Sequence, residues 1–172
     1  MREMQLDVTL DRCRRLEERA AAVYRSYATS ARTDPPLCAL WTTLAREEEA
    51  HARALATAQS NLASLADRQT RLDGWEEALR EVELCLCIAE ALGPAATRSQ
   101  QLSAALDLEL TELEALRHVL LAVSNQADVD STVDHAALLA KRAADLSADP
   151  HVRLQAALLL ARARVRSLRR EE

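Results

Sequence analysis

The sequence predicts an all-α protein, a four-helix bundle with one long crossover that carries an extra short helix. Ala (34) and Leu (30) supply most of the 49% apolar content, Phe is absent and aromatics are 2%, and Gly and Pro together number six. That composition suits long packed helices and lacks the β-branched, aromatic and Gly-rich segments that strands and tight turns need. A chain of 172 residues is long enough to bury one core. It reads as a single domain over 1–172, with a hairpin at 4–66, a crossover at 67–94 and a second hairpin at 95–170. An up-and-down bundle of five or six helices is the alternative topology.

Residues 4–32 carry a helical pattern that ends at Thr33-Asp34-Pro35-Pro36, where a capping acid followed by proline starts a new helix. The second helix is expected from Pro35 to about Ala66, and the short turn between the two forces an antiparallel hairpin. Asp73-Gly74 marks a break before a shorter helix at 75–92, which Gly93-Pro94 stops. In it Trp75, Leu79, Val82, Leu86 and Ala89 share a face, suited to covering the core or to a dimer contact. A third long helix is expected from Ala95 to Ser124, followed by a polar loop at Asn125–Asp130. The last helical stretch starts near Ser131, meets the cap-like Asp149-Pro150 after Leu146, and continues to about Arg169 either kinked or in two pieces.

Several function classes drop out at once. The formal charge of −5, with acids and arginines interspersed, offers no basic block for a nucleic-acid backbone or an anionic membrane. The longest apolar run, 156–161, falls far short of the roughly 20 residues of a spanning helix. The opening MREMQLDVTLDRCRR lacks the apolar stretch of a secretory signal, so a cytoplasmic protein is expected. Cys13, Cys38, Cys85 and Cys87 form no CxxC pair and read as reduced, buried small hydrophobes. Cys85 and Cys87, two apart on a helix, point about 200° apart and cannot jointly clamp an ion.

Helical phase identifies polar side chains on the apolar faces. At about 100° per residue, Leu6, Leu10, Cys13, Ala20 and Tyr24 lie within about 60° of Glu17, which therefore points inward, whereas Glu18 belongs to the surface. On the second helix Leu37, Trp41, Leu44 and Leu55 share the face of Glu48 and His51, an i, i+3 pair suited to gripping one ion, with Glu47 and Glu49 expected in solvent. On the third, Leu102, Ala105, Leu113, Leu116, Leu120 and Val123 define a face that contains Glu109 and Glu112, with Glu114 and His118 outside it. A fourth helix running through Pro150 would put His151 on a face with Ala140, Ala144, Leu154 and Leu158.

Four inward carboxylates would each cost several kcal/mol unless protonation, arginine partners or a metal neutralises them. The arginines mostly occupy polar phases, which leaves a metal as the economical answer. Carboxylates with one or two imidazoles favour iron or manganese over zinc.

Glu17 with Tyr24 seven residues later, followed by EEEAHARAL at 47–55, resembles the first hairpin of the ferritin-like superfamily, in its rubrerythrin-like branch. LDLELTELEAL at 106–116 is similar to that family's third helix, and HVRL at 151–154 to the tail of its fourth-helix motif, with Ala148 where the motif has Glu. The resemblance implies a pair of non-haem irons, each hairpin supplying a Glu from one helix and an ExxH from the next. Carried onto this chain, the ligands are Glu17, Glu48, His51, Glu109, Glu112 and His151, with a single metal if the second half is degenerate. The two CxxC pairs of a rubredoxin domain are missing, so no built-in electron relay is implied.

The resemblance implies a rubrerythrin-like iron-binding protein with di-iron oxidase or peroxidase activity, or a role in iron handling under oxidative stress. Oxygen or peroxide would be its small-molecule partner and a homo-oligomer, such as a dimer, its assembly; Tyr24 would donate a hydrogen bond or an electron beside the site. The alternatives are a ferritin-like scaffold that keeps the bundle without metal, and a bundle whose inward acids pair with arginine.

Overall fold

In the computed structural model the backbone is described for residues 2–61, 75–123 and 126–168, and side chains for 6–61, 76–113, 115 and 133–164. Six helices and no strands appear among the described residues: α1 (Arg2–Ser30), α2 (Pro35–Ser60), α3 (Trp75–Leu92), α4 (Arg98–Val123), α5 (Gln126–Leu146) and α6 (Pro150–Leu168). None is long and apolar enough to cross a membrane.

The α1–α2 turn works through the residues that signalled it. Asp34 caps α2 by accepting from the Leu37 N–H at 3.3 Å, and Pro35 and Pro36 occupy the first helical turn, where a backbone donor has no intrahelical partner to lose. α1 and α2 pack along each other, and Arg98 at the start of α4 pairs with Asp34. Between α3 and α4 the chain passes Gly93 at φ +60°, the left-handed conformation that only glycine adopts without strain. Thr97 and Gln100 then form a reciprocal capping box on α4: the Thr97 N–H donates to Gln100 Oε1 at 2.9 Å and the Gln100 N–H to Thr97 Oγ1 at 3.3 Å.

One hydrophobic core draws on all six helices. α3 packs on α4 and α1, with Leu79, Val82, Leu86 and Ala89 buried; its described inward face therefore covers the core, while Leu84 and Ile88 stay exposed. Trp75 lies outside the described side chains. α5 packs against α2, α4 and α6. α6 lies against α4 and α5 and buries Val152, Ala156, Leu159 and Ala163 at helical spacing.

Three element boundaries bear on the sequence reading. α2 is described to Ser60, with Asn61 as its C-cap; the expected extension to Ala66 and the start of the crossover lie outside the described residues. The expected loop at 125–130 is helical from Gln126. That stretch is polar but contains no glycine or proline, and a helix needs only one buried face, so polarity alone does not stop it. Of the two forms open at Pro150, the chain takes the one in two pieces. α5 ends at Leu146, and Asp149 starts α6: its backbone oxygen accepts from the Arg153 N–H and its side chain from the His151 N–H.

Candidate metal centre

Four helices deliver side chains to one buried polar cluster: Glu17 from α1, Glu48 and His51 from α2, Glu109 and Glu112 from α4, and His135 from α5. Each lies on the stripe that its helix turns to the core. Glu17 sits between Cys13 and Ala20, Glu48 between Leu44 and Leu55, and His135 one turn before Leu139, all buried.

Glu48 is central. Its Oε2 lies 3.1 Å from His51 Nδ1 and its Oε1 3.0 Å from His135 Nε2, so one carboxylate addresses both imidazoles. On the first side Glu17 Oε2 stands 3.6 Å from His51 Nδ1. On the second, Glu109 Oε1 stands 2.7 Å from His135 Nε2 and accepts a hydrogen bond from the Tyr24 hydroxyl at 2.9 Å. The two rings lie 5.7 Å apart, centroid to centroid. The residues thus form two triads, Glu17–Glu48–His51 and Glu48–Glu109–His135, each with one donor atom per residue and all three donors within 4.8 Å of one another.

Ligand bonds of about 2.1 Å at right angles put neighbouring donors about 3 Å apart, so these separations, which are also those of hydrogen bonds, are compatible with a shared ion. Glu17 Oε2, Glu112 Oε1 and His51 Nε2 are buried and have no hydrogen-bond partner among the described residues. A buried polar atom without a partner costs about 1–3 kcal/mol, and more when charged. The donor set therefore fits a cation.

In the metal-free chain, protons must balance the charge. Burial raises the Glu17 carboxyl well above its ordinary range, and the neighbouring Glu48 adds to the effect. Burial also raises Glu112 strongly, reinforced by Glu48, Glu17 and Glu109. Glu109 is raised as well, by burial, against the opposing pull of His135. Burial works against ionisation of Glu48 too, but the charge of His135 and hydrogen bonds from Glu17, His135 and His51 hold it well below the usual carboxylate range. Burial would lower His51, yet Glu17 and Glu48 outweigh it and push the imidazole up to about 10. His135 is likewise raised well above its ordinary value, burial being overcome by Glu109, Glu48 and Glu47. Tyr24 is held protonated by burial and the surrounding carboxylates, consistent with its donating to Glu109.

Glu17, Glu48, His51, Glu109 and Glu112, all inferred from helical phase, come together here. His151 does not: it is exposed on α6, beside a surface groove that includes Ile88 and Val152. The break at Asp149-Pro150 resets the helical phase, which removes the alignment with Ala140 and Ala144 on which its inward placement depended.

The histidine that the fourth helix does supply, His135, was not among the sequence candidates. Its signal was Leu139, about 40° away on the next turn, with Ala136 and Ala143 within about 100° of it on the apolar side of the helix. Thr132 stands three residues before it, where an ExxH pair would carry Glu.

Glu47 also departs from expectation. It is not simply solvated, since its carboxylate pairs with His135 Nδ1. Glu18 and Glu49 do sit at the surface, paired with Arg14 and Arg25. His118 and Glu114 lie outside the described side chains. Among the described residues the ion pairs of Glu17, Glu48 and Glu109 are with histidines and none is with arginine. The described cysteines are free; Cys13 is buried as expected, but Cys87 is exposed, with Arg19 donating to its sulfur at 3.6 Å.

Compared with protein-family models, with curated proteins and with solved structures, the chain matches none.

Proposed function

We propose that this protein is a ferritin-like, rubrerythrin-like carrier of non-haem metal, in which Glu48 would serve both of two ions in a four-helix core of α1, α2, α4 and α5. In this reading α3 lies on the crossover and α6 is an added outer helix. The observation that carries it is the sharing of Glu48 between two buried Glu–Glu–His triads on four separate helices. Such sharing brings two ions close together, as two-metal chemistry requires.

Oxygen-rich donors with one imidazole per ion suit iron, with manganese as the other metal of the same preference. Iron supplies redox chemistry with oxygen or peroxide when bound. The chain's own residues orient and enclose: Tyr24 fixes the Glu109 carboxylate by donating to it, and the Leu and Ala stripes around the cluster exclude water. Glu112 Oε1, buried and unpartnered, is available as a further ligand beside Glu109.

The test is anaerobic loading with ferrous iron, with bound iron counted per chain, followed by admission of oxygen. Two irons per chain and oxidation of bound Fe(II) support the proposal; a folded chain that retains no iron overturns it.

A second reading has its own observation in favour. His51 and His135, both pushed toward the protonated state, neutralise Glu48 and Glu109 without any ion, which suits a scaffold that keeps the bundle and dispenses with metal. Metal analysis of the protein as purified separates the two readings.

A further inference from the structure

The two triads share Glu48 but differ in what surrounds them. In Glu48–Glu109–His135 both groups are held from outside: the outer ring nitrogen of His135, Nδ1, meets the Glu47 carboxylate, and Glu109 Oε1, 2.7 Å from His135 Nε2, also accepts from Tyr24 at 2.9 Å. In Glu17–Glu48–His51 the outer ring nitrogen, His51 Nε2, is buried with no hydrogen-bond partner among the described residues, and Glu17 Oε2, 3.6 Å from His51 Nδ1, accepts no hydrogen bond among them.

The asymmetry bears on tautomers. For His135 to present the Nε2 lone pair to an ion, its proton must sit on Nδ1, where Glu47 accepts it. For His51 to present Nδ1, its proton must sit on Nε2, where no acceptor among the described residues receives it. One triad is thus pre-oriented, and the other bears the cost of an unsatisfied buried N–H whenever its histidine binds an ion.

Resting on the metal-binding reading above, we infer that the two subsites are unequal: Glu47 and Tyr24 are positioning residues that make the Glu48–Glu109–His135 subsite the tight one, filled first. The Glu17–Glu48–His51 subsite fills second and more weakly. Glu47 reaches this role from the cluster's edge, its side chain 34% exposed while Glu17, Glu48, His51, Glu109 and His135 are at most 7%.

The experiment is a cobalt(II) titration of the metal-free full-length chain, followed by visible absorption and calorimetry. Wild type is expected to bind in two steps whose affinities differ by about 10-fold or more, the range that loss of a histidine's outer partner spans. E47A and Y24F are each expected to weaken the first step and leave the second at its wild-type affinity, with about a 10-fold or greater loss for E47A. E47Q, which keeps an acceptor oxygen for His135 Nδ1, is expected to recover most of that loss. E17Q is expected to weaken the second step alone. Circular dichroism and the unchanged second step distinguish these effects from a folding defect.

Two steps of equal affinity in wild type, an E47A first step that does not move, or equal loss in both steps overturns the inference and leaves the metal reading intact. A folded wild-type chain that binds no cobalt, or binding that E48Q does not affect, overturns the metal reading and this inference with it.

Discussion

Glu112 shows what burial does to a single carboxyl group. It has no partner for Oε1 among the described residues, lies on the turn after Glu109, and is raised well above the ordinary carboxyl range by burial and the charges of Glu48, Glu17 and Glu109. A neutral isostere should cost the metal-free fold little: E112Q is expected to change unfolding free energy by about 1 kcal/mol or less in denaturant titrations. The same substitution removes an oxygen ligand, so iron or cobalt affinity is expected to fall.

His51 gives the metal-free chain a pH dependence of defined sign. Its folded-state value is raised from 6.5 to about 10, so the stability that it contributes is complete below pH 6.5 and lost as pH rises toward 10. The raised Glu17 and Glu112 act in the same direction from the ordinary carboxyl range upward. Glu48, held low, has the opposite sign and adds stability that disappears only in acid. Chemical denaturation of the metal-free protein between pH 7 and 10 is therefore expected to show declining stability. Metal affinity is expected to rise over the same window, because ligation requires the deprotonated imidazole and carboxylates.

At the scale of the element, the helices start and stop where local chemistry dictates. Asp34 caps α2 and also pairs with Arg98 of α4, so Asp34→Ala is expected to destabilise by about 1–2 kcal/mol in thermal or denaturant melts. Gly93 has φ +60°, and a Cβ placed there meets nothing closer than the Glu90 carbonyl oxygen at 4.0 Å. The cost of Gly93→Ala is thus backbone strain without a clash, about 1 kcal/mol, and circular dichroism should show the helices retained.

The same scale shows what could be read from the sequence. The cap at Asp34, the stop at Gly93 and the inward phase of Glu17, Glu48, His51, Glu109 and Glu112 are local properties, set by 3.6-residue periodicity and the chemistry of helix ends. The end of α5 was less legible, because a proline after Asp149 fits both a kink in one helix and the first turn of a new one. Only the kinked form aligns His151 with Ala140 and Ala144; the two-piece form breaks that phase.

For the whole molecule, the cluster and the core separate cleanly. α6 places none of its described residues in the polar cluster, yet it seals the far side of the core with Val152, Ala156, Leu159 and Ala163. Leu159→Ala is expected to cost about 2–5 kcal/mol while leaving the number of metal ions bound per folded chain unchanged. Metal binding should in turn stabilise the fold by linkage. Free ion at 100 times its dissociation constant adds about 2.7 kcal/mol, or about 5–10 °C in melting temperature for a chain of this size, measurable by calorimetry with and without chelator.

By itself, the sequence determined the helices, their caps and the presence of acids and an imidazole on apolar faces, because a helix's periodicity is fixed within its own residues. Only the tertiary structure decided that Glu48 stands between two histidines, that the second is His135, and that Glu47 is turned toward it. Those facts depend on how α2, α4 and α5 are set against one another, and spacing along a single helix carries no information about the rotation or height of its neighbours.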